Sequence, residues 1–168
     1  MRPSRQADRP EIDRILTESW GEPRVATHDR LYDLTTLPTL VATLEVALAN
    51  EPGAPGPVEQ IVGVLTYHIR GDAIEVVSVD ANPQGNGTGT ALLTAAGEVG
   101  VGKGLARLWL VTTNDNLDAM RFYQRRGLHI LAVYPNAVVQ ARARKPTIPT
   151  IGAYGIPIRD EIVLGREL

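Results

Sequence analysis

The chain has 168 residues, of which 17 are Lys or Arg and 19 are Asp or Glu, for a net charge of −2. So small an imbalance sets up no long-range field for nucleic acid or an anionic membrane, and neither is an expected partner. Cysteine is absent, which excludes a disulfide framework, a cysteine nucleophile and any thiolate metal site.

The length suits a single domain over residues 1–168. The first residues, MRPSRQADRPEIDRIL, lack the apolar run of a secretory signal, and no stretch is apolar enough to span a bilayer, so a cytoplasmic location is expected. Residues 7–20 read as a helix: Ile12, Ile15 and Leu16 recur at helical spacing, Asp8 is placed to cap it, and Gly21 follows its end. Residues 22–38 give mixed signals, with a short helix over Asp29–Leu34. Thr39–Ala49, Val58–Ile69 and Ala73–Ala81 read as three strands, joined by the Gly/Pro loop Asn50–Pro57 and the turn Arg70-Gly71-Asp72. Three strands in succession imply an antiparallel meander.

The period then changes. Gly87–Val101 places Leu92, Ala95, Ala96 and Val99 on a helix. Leu105–Thr113 is an almost continuous apolar run, as expected of a strand covered on both faces. Leu117–Arg126 is a helix with Asn116 as cap and Gly127 as stop. Leu128–Tyr134 is a strand. Residues 136–168 supply a helix (Asn136–Lys145), a Gly/Pro loop (Gly152–Pro157) and a closing strand (Ile158–Leu168). This order predicts an α/β (α+β) fold: one mixed, mostly antiparallel sheet with helices on both faces.

The strongest local signal is Val79-Asp80-Ala81-Asn82-Pro83-Gln84-Gly85-Asn86-Gly87-Thr88-Gly89. A strand runs into a loop with three glycines in five residues, and a helix starts at once. Glycine lets the backbone approach a ligand closely, and the unpaired amides of the helix start attract an anion. A second glycine cluster, Gly97–Gly104, approaches the phosphate-loop pattern of nucleotide-binding modules. It has Gly104 where a hydroxyl residue would hold Mg²⁺, and helix and strand are in the wrong order. The third segment, Thr112–Gly127, places Asn114, Asn116 and Tyr123 just beyond a buried strand. If that strand is parallel to Ala73–Ala81, both strand ends open into one crevice, where such sheets bind ligands. A nucleic-acid face built from Arg121, Arg125, Arg126, Arg142, Arg144 and Lys145 reads more simply as a solvated basic surface.

Gln84-Gly85-Asn86-Gly87-Thr88-Gly89 resembles the R/Q-x-x-G-x-G/A motif of the GNAT superfamily of N-acetyltransferases. Asn116 to Gly127 resembles that family's N-x-x-A-x-x-x-Y-x-x-x-G segment. The likeness runs over about residues 4–135, and the tail from Asn136 is similar to a bacterial subgroup with no assigned acceptor. The resemblance implies acetyl-CoA as co-substrate, with no metal. It implies that the amides of Gln84, Gly85, Asn86, Gly87, Thr88 and Gly89 cradle the pyrophosphate. The strand end Val79-Asp80-Ala81 would splay at a bulge, bind the pantetheine arm and polarise the thioester carbonyl. Asn116 would contact the cofactor, and Tyr123 would sit near the sulfur. Two departures stand out: Asn86 and Thr88 occupy loop positions where the family often has Arg or Lys, and the first strand is short or missing. A homodimer is a family expectation.

The implied reaction is acetyl transfer to a primary amine by direct attack in a ternary complex. The amine must first lose a proton, and Glu75 is the candidate base, with Asp80 second. Tyr123 is the candidate acid for the leaving thiolate. The alternatives are a non-catalytic acyl-CoA sensor and a nucleotide-binding module built on Gly97–Gly104. A small polyamine, an amino acid, an antibiotic and a protein amine all stay open as acceptors, as does the role of the Thr147–Pro157 loop.

Overall fold

The computed structural model describes residues 1–46 and 58–168. In chain order these form β1 (Arg2–Pro3), α1 (Arg9–Trp20), β2 (Arg24–Ala26), β3 (Leu31–Asp33), β4 (Thr39–Val46), β5 (Val58–Arg70) and β6 (Ala73–Ala81). Then come α2 (Thr88–Gly102), β7 (Arg107–Thr113), α3 (Leu117–Gln124), β8 (His129–Tyr134), α4 (Ala137–Arg144) and β9 (Glu161–Glu167). Among the described residues no helix is long and apolar enough to cross a membrane.

Strand alternation divides the core in two. Leu40, Ala42, Leu65, Ile74, Val76, Leu108, Leu110, Ile162 and Leu164 point to one face, where α2 adds Leu92, Leu93 and Ala96 and α3 adds Phe122 and Tyr123. Their neighbours Val41, Val64 and Val77 point to the other face, under Ile12 and Leu16 of α1 and Tyr32 and Leu34. Ile12 and Leu16 are fully buried, each contributing about 1.5–3 kcal/mol to holding α1 on the sheet. The sheet order is β1-β4-β5-β6-β7-β9-β8, and among the described residues the β6–β7 pair alone is parallel. The fold is therefore the expected mixed, mostly antiparallel sheet with helices on both faces.

Several local expectations are corrected. Asp29–Leu34 is not a helix. It contributes β3, which pairs with β2 in a hairpin, and then a 3-10 turn over Leu34–Thr36. The Asp33 carboxylate accepts from both the amide and the hydroxyl of Thr35, which favours the turn over a continuing helix. Thr39–Val46 forms the expected strand, while residues 47–49 and the loop Asn50–Pro57 lie outside the described residues. Strand β7 is not covered evenly on both faces: Leu108, Leu110 and Thr112 are buried, but Trp109 and Val111 are only half-buried. Asp8 stands at the N-cap of α1 without capping it; its carboxylate instead takes Arg2 and the amide of Arg5. The closing strand begins at Glu161 rather than Ile158, because the Asn114 side chain holds the amides of Arg159 and Asp160 off the sheet. It inserts between β7 and β8, an order that local signals do not encode.

One irregularity positions the site. The parallel rungs of β6 and β7 end at Val76–Leu110, although both strands run on. At the same level β6 carries a bulge: Thr66 faces Ser78 and Tyr67 faces Val76, leaving Val77 as the extra residue. The bulge bends β6 away from β7 and opens a crevice between them.

Candidate active site

The crevice widens into a cleft of about 710 Å³ on the α2/α3 face. Val79, Ala81, Gln84, Gly85, Asn86, Gly87, Gly89, Asn116 and Tyr123 all line it. Asp80, Thr88 and Glu75 do not.

The three loop glycines have separate physical reasons. Gly85 and Gly87 have φ of 84° and 89°, a region that costs an L-residue roughly 1–2 kcal/mol. Gly89 has ordinary backbone but lies against Phe122, where an added Cβ would come within 3.3 Å of the ring. The third glycine thus lets α2 approach α3. The first-turn amides of α2 have no helical acceptors and face the cleft. Thr88 is the exception, since its amide donates to Asn86 Oδ1 and its side chain turns inward to Gly63 of β5.

The α3 side supplies what the loop lacks. Arg121 and Arg126 both line the cleft. Arg126 donates through Nε and Nη2 to Thr90 Oγ1 at 2.8 and 2.6 Å, and through Nη1 to the Phe122 carbonyl at 2.7 Å. Its guanidinium carbon lies 3.6 Å from the centroid of the Phe122 ring. Two cations therefore stand where a phosphate on the loop amides would meet them, and Arg126 is not part of a solvated face. Two other basic residues of that expected face are structural ties. Arg142 donates to the carbonyls of Ile148, Pro149 and Ile158, and Lys145 is 7% exposed with Nζ on the carbonyls of Trp20 and Arg24. No local signal marked Thr90 or Arg126, although Arg126 immediately precedes the motif's last glycine.

Asn116 caps α3 by accepting from the Ala119 amide at 3.2 Å while also lining the cleft. Asn114 fastens the segment before β9 and does not face the cleft. The loop after α4 reaches the cleft rim, where the Ala153 amide donates to Asp115 and the Tyr154 hydroxyl to Asp118. Tyr123 packs edge-on against Phe122, and its hydroxyl has no hydrogen-bond partner among the described residues. Burial, with the Asp80 charge adding to it, pushes the Tyr123 phenol up to about 12.

The two expected bases are on the α1 face. Asp80 accepts from Trp20 Nε1 at 3.2 Å, and burial raises its pKa. Glu75 is 3% exposed and accepts from the Tyr32 hydroxyl at 2.6 Å. Burial raises its pKa too, partly offset by that hydroxyl. Glu75 lies below the point where β6 and β7 part, closed off under Tyr32 and away from the cleft.

The sequence pattern of the acetyltransferase (GNAT) family matches residues 10–128. The chain is 37% identical over 154 residues to the uncharacterised Bacillus subtilis protein YdhI, covering 92% of this chain and 89% of that one. An IAA acetyltransferase from Bacillus cereus superposes with a TM-score of 0.59 at 26% identity, covering 79% of this chain and 78% of its own. A Bacillus subtilis acetyltransferase in complex with CoA superposes with a TM-score of 0.57 at 23% identity, covering 65% and 70%.

Proposed function

This chain belongs to the GNAT family of acetyltransferases, and on that premise we propose that it moves an acetyl group from acetyl-CoA to a primary amine by direct attack in a ternary complex. The observation that carries the reading is the sharing of one cleft by the glycine loop, the unpaired end of β6 and the free hydroxyl of Tyr123. The amides of Gln84, Gly85, Asn86, Gly87 and Gly89, with Arg121 and Arg126, suit a pyrophosphate. The backbone of Val79–Ala81, no longer paired to β7, suits the pantetheine arm and the thioester carbonyl. An amide donor aimed at a developing oxyanion is worth about 3 kcal/mol.

The chain has no cysteine to carry an acetyl group, so a cysteinyl intermediate is excluded. Tyr123 keeps its proton at any working pH. A thiol has a pKa of about 8.5, so handing it the proton of a phenol near 12 outright is uphill by roughly 5 kcal/mol. Tyr123 therefore donates a hydrogen bond to the sulfur and passes its proton on only as it takes another from the attacking nitrogen.

The test is the Tyr123→Phe variant, read by thiol release and thermal melting. Its kcat is expected to fall about a hundred-fold while acetyl-CoA still raises Tm as in the wild type. An undiminished kcat would remove Tyr123 from the reaction. Stabilisation by acetyl-CoA with no amine acetylated across a broad panel would instead favour an acyl-CoA sensor.

A further inference from the structure

The α2/α3 face of the crevice belongs to the cofactor cleft, so an amine attacking the acetyl carbon has to arrive from the α1 face. That face carries a groove of about 560 Å³ along β7, β9 and β8. Its floor is Trp109, Val111, Val163 and Leu131, and His28 and Tyr134 close one end. Resting on the acetyl-transfer reading above, we propose that this groove is the acceptor site. It takes a small primary amine with an apolar, ring-sized body, and His28, oriented by Glu161, receives the proton the amine gives up.

The sheet register places the pair at the right level. Strand β7 runs past its last rung with β6, at Leu110, to Thr113, so Thr113 lies along the crevice that opens there. Thr113 is paired with Glu161, and Glu161 with Tyr134. Ile162 and Leu164 belong to the α2/α3 core, so Glu161 faces the groove side. It is 2% exposed, and both its oxygens are used: Oε1 accepts the His28 amide at 2.7 Å and Oε2 meets His28 Nδ1 at 2.6 Å. A carboxylate at Nδ1 fixes the proton there and leaves the lone pair on Nε2, which has no partner among the described residues. The ring lies on Tyr134, with centroids 4.7 Å apart. The charged or titratable groups around His28 are Glu161, Tyr134, Asp29 and Arg144, whose Nη1 donates to the His28 carbonyl.

One observation narrows the acceptor. Four rim charges are paired, Arg70 with Asp29 and Arg107 with Asp72, and of the rim carboxylates only Glu167 has no ion pair among the described residues, so the apolar floor rather than a charge cluster selects the acceptor. In the reaction the ammonium gives one proton to His28 Nε2, and the freed nitrogen pair forms the C–N bond. The C–S bond breaks with its pair on sulfur. Tyr123 protonates the sulfur and is reprotonated by the second proton of the nitrogen. His28 releases its proton to solvent, so ammonium and thioester become amide, thiol and one proton.

The test uses the full chain with acetyl-CoA and three acceptors: 2-phenylethylamine, spermidine and a peptide with an N-terminal alanine. The wild type is expected to favour 2-phenylethylamine in kcat/KM by about ten-fold or more, with Trp109→Leu raising KM for it at nearly constant kcat. His28→Gln keeps a donor for Glu161 but has no base. Its kcat should fall about a hundred-fold, with the thermal shift by acetyl-CoA intact. Added imidazole should partly restore His28→Ala, which a packing role would not allow. Preference for spermidine or the peptide, or His28→Gln within about three-fold of wild type, overturns the proposal. So does a loss seen in Asp80→Asn alone. A thermal shift by acetyl-CoA with none of the three amines acetylated refutes the groove. No shift and no acetylation would instead refute the acetyl-transfer reading beneath it.

Discussion

Replacing Arg126 by Met is expected to weaken acetyl-CoA binding by one to two orders of magnitude. Three hydrogen bonds, two to Thr90 and one to the Phe122 carbonyl, fix the guanidinium on the cleft wall before any ligand arrives. Little side-chain entropy is then left to lose on binding. Burial lowers its pKa, yet arginine stays charged throughout the working range. A preset charge-assisted bond to phosphate is worth about 1.5–3 kcal/mol, which is about 10- to 150-fold in Kd. Methionine keeps the apolar stem over Phe122, so the fold survives, and the lost bonds to Thr90 cost about 1 kcal/mol of stability. The assay is calorimetric titration of CoA at two salt concentrations, with apo melting curves alongside. Thr90→Val keeps the cation but unties it, and should give a smaller loss. A Kd for Arg126→Met within about two-fold of wild type, with the same salt slope, would show that the loop amides alone hold the phosphates.

Two further outcomes follow from contacts outside the cleft. A Cβ added at Gly63 would lie 2.6 Å from Thr88 Cγ2 and 3.0 Å from Leu92 Cδ1, so Gly63→Ala pushes on the first turns of α2. Overpacking of this kind costs about 1–3 kcal/mol, and Tm should drop by about 2–4 °C per kcal/mol with KM for acetyl-CoA rising; an unchanged melting curve would refute it. Hydrogen bonding to Arg2 holds the Asp8 carboxyl down at about 2. A lowered folded-state pKa gives stability that is full above the unfolded value and lost as pH falls toward about 2. Arg2→Gln should therefore melt below wild type at pH 6, with the gap closing as pH drops below about 4. A gap of constant size through that range would show that the Arg2–Asp8 pair does not anchor β1.

The cleft was legible in the sequence because its motifs are local. Gln84 to Gly89 and Asn116 to Tyr123 each sit within one turn or helix, and the parallel crossover brings the two ends together. What was missed is held by long-range contacts. Arg126 meets Thr90 across 36 residues, and His28 meets Glu161 across 133. Neither residue type is unusual where it stands, so nothing local marks it. Glu75 shows the converse. An acidic residue on a strand that enters the site looks like a base, but a hydroxyl from the β2–β3 hairpin covers it. Residues 29–34, which include the second strand of that hairpin, carry a helical signal, so nothing local announces the cover.

The two glycine clusters show why spacing alone misleads. Gly97 and Gly100 lie inside α2, where a Cβ added at Gly100 would strike Leu168 and one at Gly97 would crowd the Arg166 guanidinium. They are glycine so that the helix can lie close to the C-terminal strand, and their amides are spent in helical bonds. Gly104, with φ of 68°, ends the turn after α2. Gly85 and Gly87 also have positive φ, but they stand before the helix, where the amides are free and the dipole is positive. The same residue thus serves packing at one end of α2 and, on the proposed reading, an anion site at the other. What separates the two is backbone conformation and position relative to the helix axis, so the Gly97–Gly104 segment offers a nucleotide no cradle.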